Sequence, residues 1–93
     1  MEDEDWEILS KIKRSNYRLK ILKYLNDLGE PRTPTEISSK TDISRSHVSR
    51  TLGDLKEYEL VEVLNPDAHY DRRYRITERG TKIIEKIQEI EDE

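Results

Sequence analysis

The feature that most constrains this sequence is a pair of helix starts that stand close together near the middle of the chain. Residues 33–36 read Thr-Pro-Thr-Glu, in which the first threonine can cap a helix, the proline suits its first position and the glutamate can close a capping box. That helix is predicted to end near Lys40, so that residues 41–43 form a turn. Ser44 can cap the next helix, which is predicted to run to about Glu57.

Two further helices are predicted before this pair. Residues 5–13 place apolar side chains three and four positions apart, which is the spacing of an amphipathic helix. Residues 16–28 carry apolar side chains on more than one face, which indicates a helix buried between neighbours. Ser15 can cap this second helix, and Gly29 can end it because glycine readily takes the left-handed conformation. Residues 30–32 then form a turn with room for a very short strand.

A β-hairpin and a last helix are predicted after the pair. Residues 60–64 and 73–76 are β-type runs, and the loop of residues 65–72 separates them. Thr77 can cap a closing helix over about residues 78–91.

Two short helices joined by a three-residue turn define a helix-turn-helix unit, and the loop of a hairpin that follows it is called the wing. Apolar residues stand where the crossing of the two helices needs them, at Ile37, Ile43, Val48 and Leu52. The sequence therefore predicts one α+β, mainly helical domain with a winged helix-turn-helix, a β-hairpin wing and a closing C-terminal helix. Its predicted extent is residues 1–93, with the helix-turn-helix at about 34–57, the hairpin at about 60–76 and the last helix at about 78–91.

Several stretches resemble the winged-helix transcriptional regulators of the MarR and ArsR type. Residues 37–52 look like the helix-turn-helix of those proteins, and residues 74–80 resemble their strand-to-helix junction. Residues 15–25 are similar to the first helix of short archaeal members. The resemblance covers about residues 15–84, and it implies sequence-specific DNA binding and transcriptional regulation, often as a dimer.

Three positions depart from the pattern of that family. The family often has alanine where Ser38 stands, and glycine where Asp42 and Glu59 stand. Aspartate tolerates the left-handed conformation that a tight turn can require, so Asp42 is acceptable. Glutamate is less suited to it, so the turn before Leu60 is expected to differ if Glu59 needs a positive φ.

The distribution of charge favours a nucleic-acid partner, although the net charge is −4. Residues 1–7 hold five acids and no base, and residues 85–93 hold five acids and one base. Residues 8–84 instead hold 16 Lys or Arg against 11 Asp or Glu. Binding depends on the local field, so a basic middle can bind DNA despite acidic ends. The alternative is that a charge-rich surface always shows such fluctuations.

Other functional classes find less support. The chain has no Cys, which excludes disulfides, thiolate zinc sites and cysteine nucleophiles. Neither histidine has a third ligand at convincing spacing and no Gly-rich phosphate loop is present, so no metal, no cofactor and no enzymatic activity are predicted. No apolar run has the length of a membrane span, and the acidic N-terminus is unlike a signal peptide, so a cytoplasmic location is expected.

The helix that starts after Ser44 offers a face for DNA. With Val48 in the core, a step of about 100° per residue puts Ser46 and Arg50 on the opposite side, near Gly53. Such a helix fits the major groove, where arginine can donate two hydrogen bonds to guanine. Gly53 either allows close approach to DNA or is neutral. The predicted DNA-binding residues are Thr35, Ser44, Arg45, Ser46, His47, Ser49, Arg50, Arg72 and Arg73.

The last two of these residues lie at the predicted wing. Arg72 and Arg73, with the aromatic residues at 69–70, form a basic tip that is predicted to lie over the sugar-phosphate backbone or in a minor groove. A narrow minor groove attracts arginine electrostatically. The alternative is a solvated hairpin whose arginines pair with Asp67 and Asp71.

Apolar residues near both ends of the chain predict a homodimer, because they exceed what one short closing helix needs against a small core. The predicted interface residues are Trp6, Leu9, Ile83, Ile87 and Ile90. The alternative is that they pack inside the same chain. A dimer should bind two DNA half-sites about 34 Å apart or a multiple of that distance. Any small-molecule effector would have to bind at the subunit interface.

These observations predict a regulator of transcription that binds double-stranded DNA. The alternative is a winged helix used for protein–protein contact in a transcription or replication assembly, because a fold does not fix a function. An exposed apolar patch on the recognition face would favour that alternative, but no large apolar residue is predicted there. RNA binding is less favoured, because the sequence predicts no sheet of aromatic residues for stacking bases.

Overall fold

The computed structural model describes residues 2–92 and has the element order that the sequence predicts. The helices and strands within this range are α1 (Asp3–Lys13), α2 (Asn16–Leu28), α3 (Pro34–Thr41), α4 (Arg45–Glu57), β1 (Val61–Val63), β2 (Tyr74–Ile76) and α5 (Glu78–Glu91).

The helix ends follow from the capping residues. The Ser15 side chain accepts a hydrogen bond from the Arg18 amide, and Gly29 ends α2 in the left-handed conformation at φ 69°. At the start of α3, the Thr33 hydroxyl accepts from the Glu36 amide while the Glu36 carboxylate accepts from the Thr33 amide. Both predicted caps and the predicted capping box are therefore confirmed.

The turn between α3 and α4 is held by local hydrogen bonds. Asp42 takes the left-handed conformation with φ 59°, as its tolerance for that region predicts. The Ser38 hydroxyl donates to the Ile43 carbonyl at 2.5 Å, which gives a role to a serine at a position where the family often has alanine. Ser44 then caps α4 by accepting from the His47 amide.

The turn between α4 and β1 needs a left-handed residue, and glutamate occupies it. Glu59 has φ 63°, so the expectation that glutamate would alter this turn is wrong. Contacts from the start of α5 hold the turn in place: the Thr77 hydroxyl donates to the Glu59 carbonyl at 2.8 Å, and the Thr77 amide donates to the Leu60 carbonyl at 2.9 Å. Gly80 packs so closely on Leu60 that a Cβ there would lie 2.3 Å from the Leu60 carbonyl oxygen.

The two strands form an antiparallel hairpin in which Val61 pairs with Ile76 and Val63 pairs with Tyr74. The segment before α3 adds one isolated antiparallel bridge to the hairpin, because Arg32 and Tyr74 exchange both backbone hydrogen bonds at 2.9 Å. This pairing occupies the place where the sequence leaves room for a very short strand.

One hydrophobic core collects side chains from all five helices and from β1. Ile12, Ile21, Leu22, Ile37, Val48, Leu52, Leu55 and Leu60 are among its fully buried members. The polar Thr41 side chain is also buried, and its hydroxyl donates to the Ile37 carbonyl at 2.7 Å. Within residues 2–92, no helix is both long and apolar enough to cross a membrane.

The burial of α1 and α5 corrects part of the predicted dimer interface. Leu9 is 5% exposed, and Ile83 and Ile87 are each 1% exposed within the single chain. These three side chains are core residues of the protomer and have no surface left for a partner, as in the alternative that the sequence leaves open. Trp6 is 42% exposed and Ile90 is half-buried, so these two keep surface that a second subunit could contact.

Candidate nucleic-acid interface

The outer face of α4 is the face that its periodicity predicts. Val48 is fully buried, whereas Ser46, Ser49, Arg50 and Gly53 are exposed. Gly53 has no atom within 4 Å of the position where a Cβ would be, so this part of the helix faces open space. The face is polar and basic and offers donors and acceptors for base edges.

The start of α4 holds His47 in a defined orientation. The Ser44 hydroxyl lies 2.8 Å from Nδ1 of His47 and also caps the helix through the His47 amide. On the other side, the ring of Tyr17 from α2 lies 5.0 Å from the imidazole, centroid to centroid. The hydrogen bond with Ser44 involves Nδ1 and not Nε2. The sequence does not predict the contact with Tyr17, because it joins residues 30 positions apart.

The wing loop is built around Asn65, which the sequence interpretation also missed. Its side-chain amide donates to the Asp71 carbonyl at 3.1 Å, and its side-chain oxygen accepts from the Arg73 amide at 2.7 Å. Asp71 takes the left-handed conformation with φ 53°. Nε of Arg72 donates to the Ala68 carbonyl at 3.0 Å, so the loop also restrains the guanidinium at its Nε atom.

The two predicted wing arginines lie on different grooves. Arg72 lines a groove of about 390 Å³ together with Thr35, Arg45 and Ser49. This groove lies between the wing, the start of α3 and the outer face of α4, and it brings together four of the predicted DNA-binding residues. Tyr70 also lines it and is 85% exposed.

Arg73 lies on a second groove, of about 800 Å³, which is lined by Glu30 and Glu36, while Asp71 lines both grooves. Arg32 lies within 3.1 Å of the Glu30 carboxylate and 3.6 Å of the Glu36 carboxylate there. The Thr33 amide, and next the Thr33 hydroxyl, lower the pKa of Glu36 below its usual value, and the charges of Arg32 and Arg73 add to the effect. Glu30 in turn raises the pKa of Arg32. The sequence could not show that Arg73 shares its surroundings with carboxylates.

The arginines around α4 and the wing take no part in the ion pairs among the described residues. Within residues 2–92, no carboxylate lies within 4.0 Å of Arg45, Arg50, Arg72 or Arg73. The alternative in which the wing arginines pair with Asp67 and Asp71 is therefore not what the structure shows. Among these residues there is also no cluster of three His, Asp or Glu side chains that could hold a metal ion.

The opposite side of the molecule carries paired charges. The Arg79 guanidinium lies 3.0 Å from the Asp5 carboxylate, 3.3 Å from that of Glu59 and 3.7 Å from that of Glu4. It also donates to the Tyr58 carbonyl, so that one side chain from α5 joins α1 and the turn after α4.

A helix-turn-helix followed by a hairpin and a closing helix, with the polar outer face of α4, defines a winged helix-turn-helix domain. The predicted fold class is confirmed.

The chain belongs to the HVO_A0261 N-terminal domain family, whose sequence model matches residues 4–93. A search of the curated proteins found no match to this sequence.

Solved structures with the same fold are MarR-type and ArsR-type regulators, as the resemblance implies. One is the homodimeric winged helix-turn-helix DNA-binding domain Mb0332 from Mycobacterium bovis, described as a possible ArsR-family transcriptional regulator. It has 25% identity and a TM-score of 0.76, over 95% of this chain and 79% of that one. A second is a MarR family transcription regulator with 25% identity and a TM-score of 0.73, over 91% of this chain and 61% of that one.

A third is a mutant of MarR from E. coli complexed with operator DNA. It has 24% identity and a TM-score of 0.73, over 89% of this chain and 59% of that one. The chain therefore spans about three fifths of the length of the two MarR-type regulators.

Proposed function

We propose that this protein is a transcriptional regulator that binds double-stranded DNA through α4 and the wing, and that it is not an enzyme. The observation that carries the proposal is a group of four arginines around α4 and the wing that have no carboxylate within 4.0 Å among residues 2–92: Arg45, Arg50, Arg72 and Arg73. Duplex DNA offers such cations a row of phosphates, and neutralising them releases counterions. Relatives of the same fold support the assignment, because two are described as a DNA-binding domain and as a complex with operator DNA.

In this proposal α4 enters the major groove with its outer face towards the base edges. Arg50 lies in the middle of that face, where its guanidinium can donate two hydrogen bonds to the O6 and N7 atoms of guanine. Ser46 and Ser49 offer shorter donors and acceptors beside it on the same exposed face. His47 contacts Ser44 through Nδ1 and Tyr17 through its ring, so Nε2 is the ring nitrogen that we expect to contact DNA.

The wing contributes contacts to the backbone or to a minor groove. Arg72 carries most of this role, because it shares a groove with Thr35, Arg45 and Ser49. Arg73 contributes less, because the groove that it lines is also lined by Glu30 and Glu36. Thr35 and Ser44 stand at the starts of α3 and α4, where side-chain hydroxyls and exposed amides suit a phosphate.

A homodimer would place two such domains on neighbouring half-sites about 34 Å apart or a multiple of that distance. The exposed Trp6 side chain on α1 and the half-buried Ile90 on α5 are the residues of the predicted interface that remain available. The homodimeric relative supports this assembly. A single domain over residues 1–93 and a cytoplasmic location remain predictions.

The test is a selection of genomic duplex fragments followed by titration at two salt concentrations with wild type and Arg50→Ala. Arg50→Ala is expected to weaken specific binding by about 1–3 kcal/mol, because it removes a bidentate base contact. Arg75→Ala is the matched control, since Arg75 pairs with Glu62 on β1. Sedimentation of the same samples gives the oligomeric state.

A folded wild-type sample that binds no duplex at the lower salt concentration would overturn the proposal. It would leave the protein–protein alternative, and the exposed large hydrophobic side chains from which to start are Trp6, Tyr17, Leu64 and Tyr70. Equal decreases in affinity for Arg50→Ala and Arg75→Ala would show that α4 does not read the sequence.

A further inference from the structure

The longest acid-free stretch of the chain lies outside the helix-turn-helix. Residues 8–26 contain no Asp or Glu and six basic residues, which are Lys11, Lys13, Arg14, Arg18, Lys20 and Lys23. The segment runs from the middle of α1 through the corner after Lys13 and along most of α2. Residues 43–53, which include most of α4, form another acid-free stretch and hold Arg45 and Arg50.

The fold brings these two acid-free stretches together. Tyr17 in the first turn of α2 lies against His47 in the first turn of α4, with ring centroids 5.0 Å apart. Tyr17 is 43% exposed, so the contact lies at the surface. The basic surface of α4 therefore continues across the Tyr17–His47 contact onto the start of α2.

Two of the six cations serve the fold. Arg18 lies 3.0 Å from the Asp54 carboxylate, and Lys11 and Arg18 both lie over the Tyr58 ring, at 5.4 and 5.6 Å. The other four are exposed, and within residues 2–92 no carboxylate lies within 4.0 Å of any of them. We name these four the basic corner: Lys13, Arg14, Lys20 and Lys23.

We propose that the basic corner binds the phosphates of duplex DNA beside the major groove that α4 occupies. The major groove is about 12 Å wide, so an element in ring contact with the start of the recognition helix lies near the edge of the groove. The phosphate backbone runs along that edge, and unpaired lysine and arginine side chains suit it. The inference rests on the proposed function and extends the DNA footprint beyond α4 and the wing.

Phosphate contacts do not depend on the base sequence, so their loss should weaken binding to all duplexes, whereas the loss of Arg50 should weaken specific binding. The test compares Arg14→Gln/Lys20→Gln with the control Lys56→Gln/Lys82→Gln, which removes the same charge from the end of α4 and from α5. All four side chains are exposed, and circular dichroism with thermal melting verifies that both variants fold. The slope of log K against log salt is measured on a selected fragment and on duplex of mixed sequence.

The corner variant is expected to lower the magnitude of that slope by about 1.8, because each phosphate that is no longer neutralised accounts for about 0.9. The decrease should be equal on the selected and the mixed duplex, and hydroxyl-radical footprinting should show reduced protection at the outer phosphates only. The control should keep the wild-type slope.

Two outcomes overturn the inference in different ways. If wild type binds DNA and the corner variant keeps its slope and footprint, the basic corner does not contact DNA, while the proposed function stands. If folded wild type binds no duplex, the proposed function and this inference both fail.

Discussion

The two sides of this molecule use their charges in different ways. Where α1 and α5 meet, the Arg79 guanidinium is shared by the carboxylates of Asp5 and Glu59 and stabilises the protomer. On the side of α4 and the wing, Arg50 and Arg72 are exposed and have no carboxylate within 4.0 Å among residues 2–92. The net charge of −4 therefore says little about binding, because acids and bases are sorted onto different surfaces.

The two sides also differ in how closely their glycines are packed. Gly80 in α5 lies against the Leu60 backbone with no room for another atom, whereas Gly53 in α4 faces open space. The fold needs glycine at position 80. Position 53 needs glycine only if another molecule comes close to the backbone of α4. One type of substitution, made at both glycines, tests this difference.

The largest effect is expected from Gly80→Ala. The added Cβ would lie 2.3 Å from the Leu60 carbonyl oxygen and 2.6 Å from Cγ1 of Ile76, so the backbone of α5 or of the turn must move. We expect the free energy of unfolding to fall by about 1–3 kcal/mol. Chemical denaturation followed by circular dichroism measures it, and an unchanged midpoint would show that this side is packed more loosely than the contacts indicate.

Gly53→Ala is the matched substitution on the other side, and its effect on stability has the opposite sign. Alanine is favoured over glycine inside a helix, so the free energy of unfolding should rise by about 1 kcal/mol. If the α4 backbone approaches DNA closely at this point, the affinity for duplex should fall while the stability rises. If Gly53 is neutral for binding, the free energy of unfolding should rise while the affinity for duplex does not change. The two glycines then differ only in their effect on the stability of the fold.

The smallest expected effect separates the two wing arginines. Arg72→Ala should lower the salt slope of DNA binding by about 1, which is the value for a single phosphate. Arg73→Ala should change the slope less, because Arg73 lines a groove that Glu30 and Glu36 also line. Both are measured by the same titration. Equal salt slopes in the two variants would show that Arg72 and Arg73 contribute equally to DNA binding, although they lie on different grooves.

The parts of the fold that the sequence predicts well are those with local causes. Both ends of α2 and the start of α3 depend on a cap within a few residues, and they were predicted to the residue. The alternation of buried and exposed positions along α4 is local in the same way. The predicted face of α4 therefore needed no knowledge of the rest of the chain.

The parts that the sequence did not predict depend on contacts between distant segments. The close approach at Gly80 is set by Leu60, 20 residues away, and the Tyr17–His47 contact joins two helices. Arg72 and Arg73 are neighbours in sequence, but the loop before β2 places them on different grooves. The predicted dimer residues Leu9, Ile83 and Ile87 were ambiguous because an apolar helix face looks the same whether its own chain or a partner covers it.

The backbone pairing of Arg32 with Tyr74 fixes the base of the wing to the segment that leads into α3. Two hydrogen bonds of 2.9 Å hold this junction, and the wing, the start of α3 and the outer face of α4 line one groove beside it. When α4 and the wing bind DNA as we propose, the junction sets the span between their two contact points on the duplex. Duplexes whose twist and groove width match that span would be bound without deformation, and other sequences would be discriminated against even at base pairs that no side chain touches.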